Sequence, residues 1–279
     1  MQGALFRYGE ESPQLAFQSN LHTSHVVLVG GLTDGLIPVP YTELLSTTLD
    51  SMGWSLVQAQ LSSAYQGYGV GSLDRDAKEL AELAAHLKAE RGCQRIVIIG
   101  HSTGCQDLVR YVKQNHGNGD LPPLAGAILQ APVSDREDAE RYPSTIEHEE
   151  MAKKLVSEGK GEEIVIRDFV TSIGTPLTAN RFMALYSRKG DDDMFSSYFS
   201  EQELKELLQH MKSTRSLVLV SGKEEYVPEW VNVVDLGGRI AQAMGPNAIL
   251  KVVDDAVHNL QGHEQQGVTI MAEFIRSLG

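Results

Sequence analysis

The chain of 279 residues has few cysteines, a shortage of basic side chains and no long apolar run. Its two cysteines, Cys93 and Cys105, cannot build a disulfide framework, so we expect a reducing, cytoplasmic setting. Lysine and arginine number 24 against 37 aspartates and glutamates, which gives a formal net charge of −13. No basic cluster could hold a nucleic-acid backbone or an anionic membrane surface, and no segment reaches the roughly 18 apolar residues that span a bilayer. We therefore expect no nucleic-acid partner and no membrane partner.

Short apolar runs alternate with longer amphipathic patterns along most of the chain. The runs at residues 25–30 and 95–100 predict strands buried on both faces of a sheet, and further strands are predicted at 55–59, 124–130, 216–221 and 248–253. Helical patterns lie between them, as at residues 73–90, where apolar side chains recur on one face. Residues 14–19 alternate like an early antiparallel strand. This order predicts an α/β fold, with a mostly parallel central sheet and helices on both faces.

A charged segment interrupts this alternation. Residues 133–212 have mainly helical patterns and contain no run that is typical of a core strand. We predict that they form a mostly helical cap, or lid, inserted into an α/β core made of residues 1–132 and 213–279. The three aspartates at 191–193 suggest a metal, but no ligand spacing supports one, and we expect a solvated acidic run in the cap.

The sequence GHSTG at residues 100–104 matches the G-x-S-x-G motif of a nucleophilic serine. Here the motif directly follows a predicted buried strand and opens a helix predicted at 103–114, which is the context that the motif requires. A serine hydroxyl becomes a good nucleophile when a base removes its proton, and a sharp turn exposes it to that base. We therefore predict Ser102 as the nucleophile, with an unreactive glycine-rich turn as the alternative.

The other two members of a catalytic triad should follow later strands, in the order serine, carboxylate, histidine. Glu224 and Glu225 follow the strand predicted at 216–221, and we favour Glu224 because it fits the pattern acid-x-x-Val-Pro. Glu225 stays open as the acid, and both could be solvated loop charges. Of nine histidines, His258 alone lies in the loop between the last predicted strand and the last predicted helix. We predict His258 as the base that takes the serine proton.

Backbone N–H groups near the serine could stabilise the negative charge of a tetrahedral intermediate. Thr103 opens the helix after the serine, and a glycine-rich loop at 30–36 follows the first buried strand, so we predict the N–H groups of Thr103 and Leu32 as an oxyanion hole. We also predict substrate contacts at Gly31, where the backbone permits close approach, and at Tyr65 and Tyr68 in the loop 61–72. A surface loop is the alternative for the two tyrosines. The predicted pocket loops give no sign of a strongly charged substrate.

Nearly the whole chain, apart from the predicted cap, resembles the α/β-hydrolase superfamily. Three stretches are similar to a mainly fungal subgroup: VGGLTDGL at 29–36, SSAYQGYGVGSLDRD at 62–76 and GHSTGCQD at 100–107, with GKEEYVP at 222–228 as a weaker match. That subgroup includes esterases that cleave fusarinine-type hydroxamate siderophores and so release iron inside the cell. The resemblance implies Ser102 as nucleophile and His258 as base. The acid position of the subgroup is Asp, and here it is Glu224.

These patterns predict a serine hydrolase that cleaves a small-molecule ester through an acyl-enzyme and needs no metal or organic cofactor. The resemblance adds a hydroxamate siderophore as the expected substrate class. An acyltransferase or thioesterase with the same triad is one alternative, and a non-catalytic small-molecule binding protein on the same fold is another. Because a pure binder has no need for serine, carboxylate and histidine together, the sequence favours the enzyme.

Overall fold

The computed structural model describes residues 1–10, 14–167 and 174–279. Its strands are β1 (Gly3–Arg7), β2 (Leu15–Ser19), β3 (Ser24–Val29), β4 (Trp54–Gln60), β5 (Arg95–His101), β6 (Leu124–Gln130), β7 (Ile164–Arg167), β8 (Pro176–Thr178), β9 (Ser216–Ser221) and β10 (Ala248–Val253). Its helices are α1 (Thr42–Asp50), α2 (Leu73–Arg91), α3 (Gly104–Asn115), α4 (Asp135–Ala139), α5 (Ser144–Ser157), α6 (Ala179–Tyr186), α7 (Glu201–Leu208), α8 (Val233–Met244) and α9 (Glu264–Arg276). None of the helices within the described ranges is long and apolar enough to cross a bilayer.

Eight strands form one central sheet in the order β1-β2-β4-β3-β5-β6-β9-β10. Six neighbouring strands pair in parallel, namely β4, β3, β5, β6, β9 and β10. Strands β1 and β2 form an antiparallel edge next to β4. The mostly parallel sheet and the antiparallel strand near residues 14–19 are therefore confirmed. Strand β1 was not predicted, because its side chains alternate between exposed and half-buried and so carry little apolar signal.

Apolar side chains cover both faces of this sheet. One face packs against α2, α3 and α8, where Leu80, Leu108 and Ile240 are buried, and the other packs against α1 and α9, where Leu45 and Met271 are buried. Each large apolar side chain that is fully buried stabilises the fold by about 1.5–3 kcal/mol relative to exposure. The packed helices thus confirm the two-sided α/β arrangement and hold the ends of the strands in place.

The chain order of the strands creates a crevice at one edge of the sheet. β3 lies between β4 and β5, although it precedes both in the sequence. The connection that leaves β3 therefore runs toward β4, and the connection that leaves β5 runs in the opposite direction along the sheet, toward β6. Ligands of open α/β sheets bind beyond the carboxyl ends of the strands at such a point. The loop 30–36 follows β3 and Ser102 follows β5, so both lie at this crevice.

Residues 133–212 supply α4 to α7 and a separate antiparallel pair, β7 and β8, which does not join the central sheet. Part of their interior is a separate apolar cluster that includes Leu177, Phe182 and Tyr186, with Tyr68 from the loop after β4 packed into it, whereas Phe195 and Leu208 belong to the core cluster of the sheet. The division of the chain into core and cap at residues 133 and 212 stays a prediction.

The expectation of a solvated acidic run at 191–193 is wrong for two of its three residues. Asp192 and Asp193 are only 2% and 3% exposed. Arg181 Nη1 donates to Asp192 Oδ1 at 2.7 Å, and Asp193 accepts hydrogen bonds from the hydroxyls of Ser196 and Tyr198. A carboxylate can be buried when donors satisfy it. These donors lie three to eleven residues away, but a run of acids alone does not show that the chain turns inward to meet them.

Candidate active site

Ser102 lies on the sharp turn between β5 and α3. Its backbone φ of +54° is in the left-handed region, which costs a non-glycine residue of order 1–3 kcal/mol. Its N–H donates to the Gln130 carbonyl of the adjacent strand β6 at 3.0 Å, and its own carbonyl accepts the Cys105 N–H at 2.8 Å. These bonds hold the strained turn, and the serine lines a cavity at the carboxyl end of the sheet. This is the backbone conformation that the G-x-S-x-G motif predicts.

The two glycines of the motif are explained by close backbone contacts. A Cβ at Gly104 would lie 2.6 Å from the carbonyl oxygens of Val29 and Gly30 at the end of β3. A Cβ at Gly100 would lie 2.3 Å from the Gly104 carbonyl oxygen. Both distances are far below van der Waals contact, so only glycine lets α3 start so close to β3 and β5. The turn therefore fixes Ser102 against the loop that follows β3.

The loop 30–36 packs directly against the serine. A Cβ at Gly31 would lie 2.7 Å from Ser102 Cβ and 3.1 Å from its Oγ. Asp34 closes the loop, because its carboxylate accepts the Gly31 N–H at 2.8 Å while its own N–H donates to the Gly31 carbonyl at 3.2 Å. The N–H groups of Leu32 and Thr103, predicted as the oxyanion hole, donate to no protein acceptor in the described parts of the chain. They are therefore available for a ligand.

Glu224 and His258 form a buried hydrogen-bonded pair. Glu224 Oε1 lies 2.7 Å from His258 Nδ1, and both side chains are less than a tenth exposed. Glu225 also contacts the histidine, but through the backbone: its Oε2 accepts the His258 N–H at 2.8 Å. One carboxylate is therefore placed to orient the imidazole, and the other to hold the loop that bears it.

Burial determines the protonation of this pair. It lowers the pKa of the His258 imidazole to about 4, and the nearby Glu225 carboxylate partly opposes this effect. It raises the pKa of the Glu224 carboxyl to about 8, against a hydrogen bond from the Tyr226 N–H. A neutral imidazole is the form that can accept a proton. If Glu224 is ionised, the imidazole proton sits on Nδ1 and Nε2 carries the free lone pair.

Gln130, at the end of β6, contacts both the turn of Ser102 and the loop of His258. Its part in the site was not predicted. Its side-chain Nε2 donates to the His258 carbonyl at 2.9 Å, and its Oε1 lies 2.6 Å from His101 Nδ1 and 3.1 Å from the Tyr41 hydroxyl. Its backbone carbonyl is the acceptor for the Ser102 N–H. A fully buried glutamine at the end of an apolar run is the sequence signal that could have identified it.

One cavity of about 380 Å³ is lined by four of the predicted site residues. Ser102, His258, Gly31 and Leu32 all line it; Glu224 and Thr103 do not, but Glu224 is bonded to the His258 ring and Thr103 follows Ser102 in the chain. No hydrogen bond joins the Ser102 hydroxyl to the His258 ring within the described residues. Contacts of this kind often tighten only when substrate binds. The structure thus brings the predicted residues to one cavity without completing the serine–histidine contact.

The two predicted substrate tyrosines lie elsewhere. Tyr65 is 53% exposed, and its ring packs so closely on the Gly35 backbone that a Cβ there would lie 2.2 Å from it. Tyr68 is 1% exposed and belongs to the interior of the 133–212 segment. Neither ring lines the cavity of Ser102. A substrate contact at either tyrosine stays a prediction, whereas Gly31 lines the cavity as expected.

The lining of this cavity is more acidic than the sequence suggested. Asp34, Asp135 and Asp138 all line it, and no Lys or Arg of the described residues does so. Of these three, Asp34 is the one whose position at the cavity the sequence could have suggested, because it lies in the glycine-rich loop after β3. Asp135 and Asp138 come from α4, in the segment interpreted only as a cap, so their position at the cavity could not be read from the sequence.

Comparison with known proteins finds a family model and relatives that match most of this chain. The family model described as "Protein of unknown function (DUF1749)" matches residues 2–278. The UPF0613 protein PB24D3.06c of Schizosaccharomyces pombe is 33% identical over 264 residues, which cover 87% of this chain and 82% of that protein. The fusarinine C esterase sidJ of Aspergillus fumigatus is 31% identical over 281 residues, which cover 82% of this chain and 79% of that protein.

A solved structure extends this similarity to the fold. The siderophore hydrolase EstB from Aspergillus fumigatus superposes with a TM-score of 0.81 at 27% identity. The match covers 99% of this chain and 97% of that one. The segment 133–212 therefore has a structural counterpart in that protein as well.

Proposed function

Because this chain belongs to the DUF1749 family and has the α/β-hydrolase fold, we propose that it is a serine hydrolase that cleaves a carboxylic ester of a small molecule. The observation that supports this best is the cavity shared by Ser102 and the buried pair of His258 and Glu224. The esterase and hydrolase names of its relatives support the same class of reaction.

In the proposed acylation step, His258 is the base. Its Nδ1–H donates to the Glu224 carboxylate, and its Nε2 takes the proton of the Ser102 hydroxyl. Ser102 Oγ forms a bond to the ester carbonyl carbon, and the carbonyl electron pair moves to oxygen, where the N–H groups of Leu32 and Thr103 stabilise it. When that pair returns, the bond from carbon to the alcohol oxygen breaks, and the His258 proton passes to the leaving alkoxide. The alcohol leaves, and the acyl group stays on the serine.

Deacylation repeats these steps with water. His258 takes one proton from a water molecule, whose oxygen adds to the acyl carbon. The bond from that carbon to Ser102 Oγ then breaks, and the proton returns from His258 to the serine. The sum consumes one water and the ester and releases one acid and one alcohol. An acyltransferase would use another nucleophile in place of water, and its products would show that acceptor.

We propose a hydroxamate siderophore of the fusarinine type as the substrate class. Two relatives named for siderophore chemistry, one a curated esterase and one a solved hydrolase, match most of the chain. The cavity of about 380 Å³ is within the size range of small-molecule sites, roughly 300–1,000 Å³.

A panel of esters tests this proposal. It should include iron-free and iron-loaded fusarinine-type siderophores, with the products identified by mass spectrometry. We expect free acid and alcohol from wild type and from Ser221→Ala, a buried serine outside the cavity, and none above background from Ser102→Ala. Hydrolysis that persists in Ser102→Ala would refute the mechanism. Binding without any product from folded wild type would instead favour the non-catalytic protein.

A further inference from the structure

One buried glutamine joins the two loops that carry the proposed nucleophile and the proposed base. The backbone carbonyl of Gln130 accepts the Ser102 N–H at 3.0 Å, and its side-chain Nε2 donates to the His258 carbonyl at 2.9 Å. The glutamine lies at the end of β6 and is completely buried, and the next residue, Ala131, has a strained φ of +55°. The distance between the backbones of Ser102 and His258 therefore depends on this one residue.

The orientation of the Gln130 amide follows from its partners. A carbonyl oxygen can only accept, so the group that faces the His258 carbonyl is the NH2 group. The other end, Oε1, accepts from the Tyr41 hydroxyl at 3.1 Å and lies 2.6 Å from His101 Nδ1, which must then carry a proton. Burial lowers the pKa of His101 to about 3, so the ring is neutral and its single N–H is on Nδ1. Two buried donors thus hold the amide with its NH2 group toward the His258 loop.

The other hydrogen bonds of His258 lead to a different part of the chain. Glu224 contacts its ring Nδ1 and Glu225 accepts its backbone N–H, and both carboxylates belong to the loop after β9. Among the hydrogen bonds that the described residues show for His258, only that of Gln130 leads to the strand that also binds the Ser102 N–H. The two glutamates therefore set how the imidazole is oriented in its loop, and Gln130 sets where that loop lies relative to the serine.

We infer that Gln130 is a positioning residue, which keeps the His258 loop within reach of Ser102 for proton transfer. In this arrangement the Nδ1–H of His101 keeps the Gln130 amide in the required orientation. The inference rests on the proposed function for the roles of the serine and the histidine. Neither Gln130 nor His101 exchanges a proton with substrate in this role, but a displacement of about 1 Å of a catalytic group can reduce the rate about a hundredfold. Loss of the Gln130 amide should therefore lower kcat without weakening the binding of substrate.

Gln130→Met tests the inference by kinetics, because methionine has a similar length and volume but no amide. We expect kcat on a hydrolysed ester to fall about tenfold to a hundredfold while KM changes less than about threefold. Gln18→Met is the matched control. Gln18 is also buried, and its Nε2 lies 3.2 Å from the Nε2 of the buried His25, but it belongs to β2 and lies outside the cavity of Ser102. This control should change kcat less than about twofold, and an equal kcat for the two folded variants would overturn the inference.

Two substitutions of His101 test whether its Nδ1–H orients the amide, and they also serve if Gln130→Met does not fold. His101→Asn puts an amide N–H close to the position of Nδ1 and can still donate to Gln130, whereas His101→Leu cannot. Both remove the ring that lies 4.8 Å from the His258 ring, so the comparison isolates the donor. We expect His101→Asn to reduce kcat no more than about threefold and His101→Leu to reduce it about tenfold or more. If the leucine variant is folded and as active as the asparagine variant, His101 does not orient Gln130 and the inference fails.

Nitrogen-15 NMR of the histidine side chains tests the same geometry in wild type, without substrate. We expect His101 to stay neutral between about pH 6 and pH 8 and to carry its proton on Nδ1. Comparison with His101→Asn assigns this signal, because the variant lacks it. A His101 ring with its proton on Nε2 would leave Gln130 Oε1 without this donor and overturn the inference.

These measurements separate the inference from the proposed function. If wild type cleaves an ester and Gln130→Met is as active as Gln18→Met, the inference fails and the proposed function stands. If folded wild type cleaves no ester and is not labelled by a fluorophosphonate, the proposed function fails. The His101 tautomer then still shows whether the Gln130 amide is held toward the His258 loop.

Discussion

Replacing Glu224 by glutamine should abolish most of the activity while the fold persists. Glutamine has the same shape, so it keeps the packing, but it removes the charge that faces His258 Nδ1 at 2.7 Å. A triad carboxylate orients the imidazole and stabilises the imidazolium that forms when the serine proton is taken. Loss of such a carboxylate reduces kcat by about ten-thousandfold in serine proteases with comparable geometry. We expect a loss of about a thousandfold or more here.

Glu225→Gln is the matched control, because the same charge is removed one residue away. Glu225 is exposed and accepts only the backbone N–H of His258, at 2.8 Å. A glutamine oxygen can still accept that bond, and a neutral hydrogen bond at an exposed position contributes roughly 0.5–1.5 kcal/mol. Glu225→Gln should therefore reduce kcat by no more than about tenfold.

The assay is kcat on one hydrolysed ester for wild type and both variants. Thermal unfolding and circular dichroism of each protein establish that the fold is intact. If Glu225→Gln is the more damaging of the two in folded proteins, the acid has been assigned to the wrong residue. If neither substitution lowers kcat by more than about tenfold, neither carboxylate supports the histidine in the way that a triad requires.

Three further predictions concern pH, the oxyanion loop and stability. Burial lowers the pKa of His258 and raises the pKa of the Glu224 carboxyl to about 8. We therefore expect kcat/KM to rise with pH as the pair loses its shared proton, with a midpoint above the ordinary histidine pKa of about 6.5. A kcat/KM that falls with pH around that midpoint would contradict the assignment. Gly31→Ala places a Cβ 2.7 Å from Ser102 Cβ, so it should shift the loop and reduce kcat about a hundredfold with little change in unfolding temperature, and wild-type kinetics would refute the predicted oxyanion role. Asp192→Asn removes the carboxylate that hydrogen-bonds the buried Arg181, while the Asp76 and Asp107 carboxylates still attract it. The free energy of unfolding should fall by about 1–3 kcal/mol in urea titrations, whereas no measurable change would show that the ion pair is dispensable.

The positions of the catalytic candidates could be predicted because each follows a strand of the parallel sheet. Ser102, Glu224 and His258 come after β5, β9 and β10, and parallel strands bring their carboxyl ends to one edge of the sheet. Apolar runs show where these strands lie, and the fold then places the loops. The choice of Glu224 over Glu225 depended on a short pattern alone, and the geometry agrees with it because only Glu224 contacts the imidazole ring.

The interior polar contacts could not be predicted, because they join residues that are far apart in the sequence. Gln130 binds the loop of His258 across 128 positions, and nothing near either residue shows this. The buried aspartates at 192 and 193 were expected in solvent for a different reason: their partners lie only three to eleven residues away, but no sequence pattern shows that this stretch turns inward. Asp135 and Asp138 reach the cavity through the placement of α4, which no strand pattern determines.

The central claim is that Ser102 is a nucleophile activated by His258, and covalent labelling tests it most directly. Wild type, Ser102→Ala and His258→Ala are treated with a fluorophosphonate, and the modified residue is located by peptide mass spectrometry. The account predicts one adduct per chain on Ser102 in wild type, none in Ser102→Ala, and labelling slowed by about a thousandfold or more in His258→Ala. Folded wild type that stays unlabelled, or that is labelled at another residue, would contradict it.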